Sequence, residues 1–480
     1  MPPARSAEPR RAFDRLLGVV LMLVVMGAIA VYSASSSEQI IQSEGGDGTG
    51  FLIRYVVFGA LGFCALWLAA RFGVRGLRKL TLPLLAGAVV LCMAVLAPGV
   101  GIEVNGAKRW IGSGAIGFQP SELAKFAVVA FLALTLSRRR TPMRTLRDVR
   151  VELGVIALFV AIVGGLQSDL GTAMVIGVAG ICILVVAGMP LRFFAPIGAA
   201  VGGAVVLMVL AAPYRVARLT SFLSPWADAA GNGYQSTQGQ LAIGTGGFFG
   251  NGLGSSVQKA EWLPEAHTDF ILAIIGEELG AIGVLGLLAL YAMLAHTGLR
   301  IADRAPGPYQ RLLATGIVGI IVCQALLNVW VVLGIFPLTG VPLPFISYGS
   351  TNLVMLLAGI GILLNIARGT VEEPAAAAAR GVGGGPDPDG PPPGRAPRPR
   401  RERRRPAAPA PAPVPAGRPF LRPVPDPEPV FATARERARA AERRVGAQGS
   451  AGDSTEHRDR RGRDGRARGA GAGGRRRAAS

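Results

Sequence analysis

The chain has 480 residues, of which 50% are hydrophobic and only 17% are charged, and its formal net charge at pH 7 is +20. A soluble domain carries about 25% charged residues, so this composition argues against a soluble enzyme. Apolar runs near the roughly 20 residues that a transmembrane helix needs recur between residues 16 and 367. The sequence therefore predicts an all-α, polytopic integral membrane protein.

The apolar runs predict ten transmembrane helices. In chain order, the predicted helices are 16–34, 51–70, 80–98, 120–137, 151–166, 171–189, 193–212, 268–295, 311–335 and 347–367. Residues 1–15 are predicted to form a cytoplasmic N-terminus, residues 16–368 the membrane domain, and residues 213–267 a large extracytoplasmic loop within it. The first run resembles a signal peptide, but its apolar stretch exceeds the roughly 7–15 residues of a signal core, so a retained span is favoured.

Basic residues fall in alternate loops between the predicted helices. They are Arg10, Arg11, Arg15, Arg71, Arg75, Arg78, Lys79, Arg138, Arg139, Arg140, Arg144, Arg147, Arg150, Arg300, Arg304 and Arg311. Short basic loops face the cytoplasm, so both termini are predicted to be cytoplasmic. The segments 99–119, 213–267 and 336–346 are then extracytoplasmic, and the chemistry is expected to face outward.

Residues 369–480 form a low-complexity tail rich in Pro, Arg, Ala and Gly. Residues 371–480 contain 24 arginines, no lysine and 13 acidic residues, so +11 of the net charge lies there. Such a segment cannot bury a core and is predicted to be disordered, apart from a short helix around 431–445. Three interpretations stay open: a solvated spacer, a segment attracted to the anionic inner leaflet, or one that binds an acidic cytosolic protein. Nucleic-acid binding is not predicted.

The segment WLPEAHTDFI, 262–271, places Glu265, His267 and Asp269 directly before a long apolar run. If the helix begins near Thr268, Asp269 tops a face of small residues at the outer boundary, where water and a lipid headgroup both reach it. Asp269 is therefore the predicted functional acid. The alternation of the three residues fits no common metal-ligand spacing, so it predicts no metal site.

Glu277 and Glu278 follow within the same apolar run. An ionised carboxylate at the bilayer centre costs at least about 2.5–3.5 kcal/mol unless it is paired or faces water. Both glutamates are predicted to be structural, satisfied by arginine or lysine residues of other helices.

A second polar cluster lies in NGAKRWIGSGAIGFQPSELAK, 105–125. Lys108 and Arg109 have no acidic residue close in sequence, and two cations at headgroup level suit the binding of a pyrophosphate. Glu122 and Lys125 share a helix face at positions i and i+3, so each can neutralise the other. That pairing alone is a sufficient structural explanation for both residues.

Three further segments carry turn signals. QSDLGTA, 167–173, predicts a tight turn with Asp169 as the cap of the following helix. PLTGVPLPFISYGSTN, 337–352, predicts an ordered outer segment shaped by prolines and glycines. Residues 233–270 contain too many glycines for a regular element and predict a pocket-forming loop at the membrane surface.

Together, the segments GAKRWI, FQPSELAKF, QSDLGTA, SVQKAEWLPEAHTDFILAIIGEELG and PLPFISYGSTN resemble the SEDS proteins (shape, elongation, division and sporulation) over residues 12–368. The stretch SVQKAEWLPEAHTDF resembles the division members more closely than the elongation members. The chain departs from the family pattern at Ser168, where proline is usual, and at Ser350 and Thr351, where a Gly-Gly-Ser type run is common. These departures bear on the subfamily more than on the activity.

The resemblance implies a peptidoglycan glycosyltransferase that polymerises lipid II at the outer face of the bacterial cytoplasmic membrane, for septal synthesis in cell division. It implies that Asp269 is the essential acid and that Arg109, Glu122 and Lys125 line one central cavity. Asp269 is then the predicted general base. The other predicted substrate-binding residues are Lys108 and Lys259, as further candidates for the pyrophosphate, and Glu265 and His267 beside the base.

The resemblance also implies a class B penicillin-binding protein, a transpeptidase, as a partner, together with other division proteins and a divalent cation, Mg or Mn. No spacing in the chain indicates that cation. Two alternatives stay open. One is a flippase or transporter of lipid II, because ten helices with buried ionisable residues suit a transporter equally well. The other is a polymerase of the elongation type.

Overall fold

The computed structural model describes residues 4–42, 48–104, 107–113, 116–210, 213–231, 233–260 and 262–382. Predictions for the tail from residue 383 onward, including the helix around 431–445, fall outside this part of the chain. The helices are α1 (Ala4–Gln42), α2 (Gly50–Ala94), α3 (Pro120–Ser137), α4 (Arg150–Val160), α5 (Leu170–Val186), α6 (Phe194–Leu210), α7 (Pro213–Leu223), α8 (Tyr234–Gly246), α9 (Ile271–Asp303), α10 (Pro308–Val332) and α11 (Ser350–Val382). A π-helical turn, Ala161–Leu166, extends α4.

The predicted polytopic membrane fold is confirmed. Seven helical stretches of the described chain are long and apolar enough to cross a membrane, and α5 and the start of α6 are apolar but shorter. The 45 residues of α2 would extend about 68 Å at 1.5 Å per residue, twice the roughly 30 Å hydrocarbon core. Its backbone leaves the helical region at Gly73, so α2 accounts for the two predicted helices 51–70 and 80–98.

One amide side chain stabilises the break in α2. A break frees backbone groups from the helical hydrogen-bond ladder. Asn365 of α11 donates to the Ala70 carbonyl at 2.8 Å and accepts from the Val74 amide at 3.1 Å. Gly73 has φ 67°, and a methyl group there would lie 2.7 Å from the Asn365 amide, so glycine permits both the turn and the close approach.

The two ends of the membrane domain lie together on the side of the basic turns. The guanidinium of Arg368, in α11, lies 4.8 Å from the ring centroid of Phe13, in α1. Arg75 and Arg78 share a cavity of about 260 Å³ with Ser137 and the start of α10. The basic turns therefore meet at one end of the fold, as the charge pattern predicts. That this end faces the cytoplasm stays a prediction from the positive-inside rule.

A small antiparallel sheet covers part of the opposite end, which we call the outer end. Its strands are β1 (Gly101–Val104), β2 (Ala107–Ser113) and β3 (Ile116–Phe118), in the order β1-β2-β3. Sequence analysis predicts an outer segment here but no strands, because each strand is too short to show a clear alternation. The Asn-Gly pair at 105–106 is the signal from which the first hairpin could be predicted.

The loop 213–267 contains more regular structure than its glycine content predicts. Both α7 and α8 lie within it, so the expectation of no regular element over 233–270 is wrong for the first part of that segment. The glycines of α8 allow close packing on α9. A methyl group on Gly239 would lie 2.5 Å from the Phe270 ring, and one on Gly246 would collide with the Gly276 carbonyl.

Three helices extend beyond their predicted bounds. α1 begins at Ala4, α9 ends at Asp303 and α11 ends at Val382. Residues 369–382, predicted as the start of the disordered tail, are therefore helical. Alanine has the highest helix propensity, and a run of alanines occupies 375–379.

Candidate active site

The turn before α9 carries Asp269. Because α9 begins at Ile271, Asp269 lies outside the helix, and the prediction that it tops a helical face is wrong. Glu265 adopts φ 56°, and its carbonyl accepts from the amides of Thr268 at 3.1 Å and Phe270 at 3.3 Å. These bonds close a turn that delays the start of the helix.

A buried amide of α10 holds the backbone of Asp269. Asn328, 1% exposed, donates to the Asp269 carbonyl at 2.7 Å and to the Val341 carbonyl at 2.9 Å. One side chain thereby joins the turn before α9 to the segment before α11. Sequence analysis missed Asn328, although a lone amide inside the apolar run LLNVWVV is a recognisable signal in a membrane helix.

The segment before α11 lies against the carboxyl group of Asp269. Gly340 has φ 67°, and a methyl group on it would lie 3.1 Å from Asp269 Oδ2. The same segment contacts α5, because a methyl group on Gly171 would collide with Val341 and lie 2.9 Å from the Thr339 carbonyl. Gly171 belongs to the QSDLGTA turn, so this turn and the half-buried Asp269 share one neighbourhood.

Arg109 of β2 binds the same turn. Its Nε donates to the Gln167 carbonyl at 3.1 Å, and its Nη2 donates to the Ser168 carbonyl at 2.6 Å. A guanidinium has five N–H donors, so these bonds orient Arg109 and leave donors for an anion. Asp169 caps α5 as predicted, accepting from the Thr172 amide at 3.0 Å.

Lys108 and Arg109 lie beside an irregularity of the hairpin. The register shifts between Ile102 and Glu103, so Arg109 has no cross-strand partner and the regular alternation of side chains does not apply there. Lys108 is paired across the strands with Glu103. No acid is close to Lys108 in sequence, but the hairpin places Glu103 opposite it.

Glu122 and Lys125 form the predicted ion pair at the start of α3. Lys125 Nζ lies 2.7 Å from Glu122 Oε2, and each residue is 1% exposed. Gln119, just before the pair, joins three motifs. Its backbone N–H donates to Thr351 Oγ1 and its side-chain Nε2 donates to Asp169 Oδ2, both at 3.1 Å. The start of α3, the QSDLGTA turn and the start of α11 therefore meet at the outer end.

Glu265 and His267 lie in the same turn as Asp269 and differ in exposure. Glu265 is exposed and accepts from the Thr268 hydroxyl at 2.7 Å. His267 is 9% exposed, its ring centroid lies 4.3 Å from that of Phe51, and its carbonyl accepts from the Tyr348 amide at 3.0 Å. His267 thus packs the turn against α2 and the segment before α11.

Lys259 lies beside a kink in α9. Its Nζ is 3.1 Å from Glu278 Oε1, 2.7 Å from the Gly254 carbonyl and 3.3 Å from Ser33 Oγ. The Ser33 hydroxyl also lies 2.6 Å and 2.8 Å from the two Glu278 carboxylate oxygens. Lys259 is 8% exposed, so its charge is buried in this network.

Glu277 and Glu278 are satisfied mainly by the glycine-rich loop that follows α8. Glu277 accepts from the Ser256 hydroxyl at 2.5 Å and from the Val257 amide at 2.9 Å. The prediction that both glutamates are structural fits these contacts. Glu278 has the predicted basic partner, Lys259, but this lysine comes from the loop instead of another helix. Glu277 is bound by Ser256 and Val257, so a basic partner is not what satisfies it.

The predicted site residues thus fall into separate places. Glu265 and His267 share the turn of Asp269, and Arg109 reaches its neighbourhood through the QSDLGTA turn. Lys259 lies with the glutamates at the kink, whereas the buried pair of α3 joins the outer end through Gln119. The functional role of each residue stays a prediction.

A model of a family of cell cycle proteins, FTSW_RODA_SPOVE, matches residues 14–372. This chain belongs to that family. The match spans the membrane domain and confirms the resemblance read from the motifs.

Two members of the FtsW/RodA/SpoVE family are similar to this chain over nearly their whole length. Stage V sporulation protein E of Bacillus subtilis (strain 168) is 40% identical over 358 residues, 74% of this chain and 97% of that protein. A protein named probable peptidoglycan glycosyltransferase FtsW, of Geobacter sulfurreducens, is 38% identical over 352 residues, 73% of this chain and 94% of that protein.

Solved structures share the fold. A chain from a structure described as a peptidoglycan synthase complex, which coordinates polymerization and crosslinking, aligns with TM-score 0.62 and 29% identity over 75% of this chain and 98% of its own. The rod shape determining protein RodA of Thermus thermophilus aligns with TM-score 0.55 and 29% identity over 74% of this chain and 95% of its own.

The described residues offer no protein-only site for the predicted divalent cation. Among them, no group of three or more His, Cys, Asp or Glu side chains is placed to hold a metal ion. Structural metal sites need such a set of protein ligands. The cation therefore stays a prediction from the family resemblance, and we derive no chemical step through it.

Replacing Asn328 by leucine is expected to loosen the turn that carries Asp269. The change leaves the Asp269 and Val341 carbonyls without their donor, and unsatisfied buried groups cost about 1–3 kcal/mol each. We expect a loss of about 2–4 kcal/mol in the free energy of unfolding, measured by denaturation in detergent. Gln324→Leu is the matched control, since Gln324 is a buried amide one turn earlier whose Oε1 accepts no hydrogen bond within the described residues. Equal losses in both variants would contradict the role of Asn328.

Replacing Gly340 by alanine is expected to displace the Asp269 carboxyl group. The new methyl group would lie 3.1 Å from Oδ2 at a residue with φ 67°, so the carboxyl or the segment must shift by a few tenths of an ångström. We expect the catalytic rate to fall about 10-fold, since small displacements of reacting groups have large effects. Gly188→Ala controls for backbone strain alone, because Gly188 has φ 92° and nothing within 4 Å of a new methyl group. If both variants lose the same activity, contact with Asp269 is not the cause.

Proposed function

We propose that this chain is a peptidoglycan glycosyltransferase that polymerises lipid II at the outer face of the cytoplasmic membrane. One observation carries the proposal: the half-buried Asp269 lies at the outer end, and its turn is held by Asn328 and His267 beside the motif that binds Arg109. Relatives of this chain carry the name peptidoglycan glycosyltransferase. A reactive carboxyl at the membrane boundary suits a substrate with its sugar in water and its tail in lipid.

In the proposed reaction, Asp269 acts as the general base. Lipid II is an isoprenoid pyrophosphate that carries a disaccharide-pentapeptide. The hydroxyl oxygen of the acceptor sugar forms a bond to the anomeric carbon of the donor, and the bond from that carbon to the pyrophosphate oxygen breaks. The hydroxyl proton passes to the Asp269 carboxylate. The lipid pyrophosphate leaves with the bonding electrons, so a cation is needed to stabilise the developing charge.

We assign this stabilisation first to Arg109. Its guanidinium is oriented by two backbone carbonyls of the QSDLGTA turn, whose Gly171 contacts the segment that backs Asp269. Lys108 is the second candidate, and Glu103 lies opposite it across the hairpin. Lys259 is a third candidate, although its ammonium already binds Glu278. Glu122 and Lys125 bind each other at the start of α3, and Gln119 just before them binds Asp169 of the QSDLGTA turn.

The alternative function is a flippase of lipid II. A transporter needs ionisable groups near the midplane that open to both sides. The burial of the ion pair of α3 and the binding of both α9 glutamates to the outer loop favour the enzyme. In the described part of the chain, the other predicted site residues lie at the outer end.

We further propose a role in septal synthesis, with a class B penicillin-binding protein and other division proteins as partners. The likeness to proteins named FtsW and to a chain of a synthase complex supports this proposal. Elongation is the alternative, supported by the likeness to RodA. A fluorescent fusion that localises to the lateral wall instead of the septum would favour elongation. The basic tail is proposed to bind the anionic inner leaflet or an acidic division protein.

The decisive experiment reconstitutes the purified chain in proteoliposomes with lipid II, with and without its transpeptidase. We expect glycan polymer on a gel and equimolar release of lipid pyrophosphate for each bond formed. A second arm follows labelled lipid II across the bilayer. Transbilayer movement without polymer, in both the isolated chain and the complex, would replace the glycosyltransferase with the flippase.

A further inference from the structure

The glycine-rich loop after α8 completes the hydrogen bonding of α9 at its kink. The backbone of α9 leaves the helical region at Gly280, with φ 67° and ψ −167°. Such a break frees backbone groups from the helical ladder. The loop pairs with two carbonyls before the break and two amides after it: Asn251 N to Glu277 O at 3.0 Å, Gly252 N to Glu278 O at 3.0 Å, Ala281 N to Gly247 O at 3.0 Å, and Ile282 N to Phe248 O at 3.3 Å.

The loop lies in direct backbone contact with α9. A methyl group on Gly250 would collide with the Glu278 carbonyl, and one on Gly280 would collide with the Gly250 amide. Glycine is therefore required on both sides of the contact. Four backbone groups beside the kink have partners in the loop, which makes this irregular backbone compatible with an apolar environment.

Two polar side chains of the loop contact α9, whereas its large apolar side chains are exposed, together with the polar Asn251 and Ser255. Ser256 and Lys259 bind the two glutamates of α9. The exposed side chains, which we call the apolar loop face, are Phe248 (60% exposed), Phe249 (79%), Leu253 (63%), Val257 (64%) and Trp262 (55%). Between Phe248 and Val257 the chain has no charged residue, and Lys259 is buried. The next charged residue in sequence is Glu261, directly before Trp262.

The length of α9 after the kink sets the depth of the loop. From Ala281 to Asp303 the helix extends about 34 Å at 1.5 Å per residue, which alone matches the roughly 30 Å hydrocarbon core. Ile282 and Leu285, 48% and 60% exposed, lie at its outer end and are available to lipid. Phe248 binds Ile282 through its carbonyl, so the apolar loop face begins level with the outer membrane boundary.

We propose that the apolar loop face inserts into the outer leaflet, where its aromatic side chains contact acyl chains just below the headgroups. Aromatic residues favour this depth. The surface from Phe248 to Val257 carries no charge and lies at the same height as Ile282 and Leu285 of α9, which are available to lipid. Lipid therefore fits this surface better than a protein partner does, because a protein interface has a polar rim. The anchor would fix the height of the Asp269 turn, which begins shortly after Trp262. That this height suits a lipid-linked pyrophosphate rests on the proposed function; the insertion does not.

The test measures the depth of a spin label on the loop of the full chain in lipid nanodiscs. A nitroxide is attached to F249C in a C64A/C182A background, which removes the exposed and half-buried native thiols. Matched controls carry the label at Leu285→Cys, an exposed apolar position of α9, and at Asp303→Cys, at the end of α9 beside the basic turns. We expect the relaxation of the Phe249→Cys label to respond to dissolved oxygen more than to a water-soluble nickel chelate, as at position 285.

A label at position 249 that responds to nickel as strongly as the label at 303 overturns the proposal. A label that is exposed to nickel in the isolated chain and shielded from both reagents after the transpeptidase binds also overturns it, in favour of a protein partner. In a second variant, F248Q/F249Q with the label at Val257→Cys, nickel accessibility is expected to rise because the anchor is lost. No rise, with the protein still monodisperse, counts against insertion.

Discussion

Replacing Asp269 by asparagine is expected to abolish glycan polymerisation by the purified chain. Asparagine has nearly the same shape, but its amide cannot accept the proton of the attacking hydroxyl. A general base contributes a factor of about 10²–10⁴ to the rate, so we expect a loss of at least about 100-fold. The measurement is the rate of polymer formation from lipid II in proteoliposomes, with the transpeptidase present in both samples.

The variant is expected to stay folded, because the neighbouring helix holds the backbone of Asp269. Asn328 binds its carbonyl oxygen, which the substitution retains. Asp303→Asn is the matched control: it makes the same change at the other end of α9, where the side chain is 73% exposed and lies 4.0 Å from Arg311. A polymerisation rate near that of the unaltered chain in Asp269→Asn would remove this residue from the mechanism.

The helices of this fold follow from hydropathy, because a bilayer requires long apolar segments with internal hydrogen bonds. The break in α2 could also be predicted from the sequence, since the basic residues around Gly73 separate two apolar runs. The kink at Gly280 could not be predicted, because no polar residue follows Gly280 directly. The loop that binds the kink lies about 30 residues earlier in the chain, and no sequence pattern links the two. α9 begins at Ile271 instead of the predicted residue 268, because the turn before it depends on φ 56° at Glu265, which the sequence pattern does not show.

In the candidate site, local pairs could be predicted and long-range ones could not. The Glu122–Lys125 pair and the Asp169 cap depend on spacing within one helix, and both are present. The cross-strand pairing of Lys108 with Glu103 depends on strand structure that short segments hide. The side chain of Asn328, in α10, binds the turn before α9 and the segment before α11. No pattern within one of these segments specifies these contacts.

The role of Lys259 is the clearest case in which the sequence alone could not predict the contacts of a candidate site residue. A lysine in an outer loop is a reasonable partner for pyrophosphate, and its charge is the same whether it binds substrate or protein. Its contact with Glu278 requires the loop to fold back on α9, which only the three-dimensional structure specifies. Whether this ammonium serves stability, substrate or both can be separated by experiment.

Replacing Glu278 by leucine is expected to destabilise the chain by about 3–5 kcal/mol, because it leaves the Lys259 ammonium buried without its carboxylate. Lys259 is 8% exposed and Glu278 is 3% exposed, so water cannot replace the lost partner. Lys259→Met is expected to act in the same direction. The double variant Lys259→Met/Glu278→Leu should recover most of the loss, since replacing a whole buried ion pair by apolar residues is often neutral.

The measurement is the free energy of unfolding in a double-variant cycle, with Asp303→Asn as the exposed-pair control, for which we expect a change below about 1 kcal/mol. Additive losses in the double variant would show that the two charges do not stabilise each other. The polymerisation rate of the same double variant then separates the roles of Lys259. Recovered stability with full activity assigns the ammonium to the fold, whereas recovered stability with activity still lost assigns it to the pyrophosphate as well.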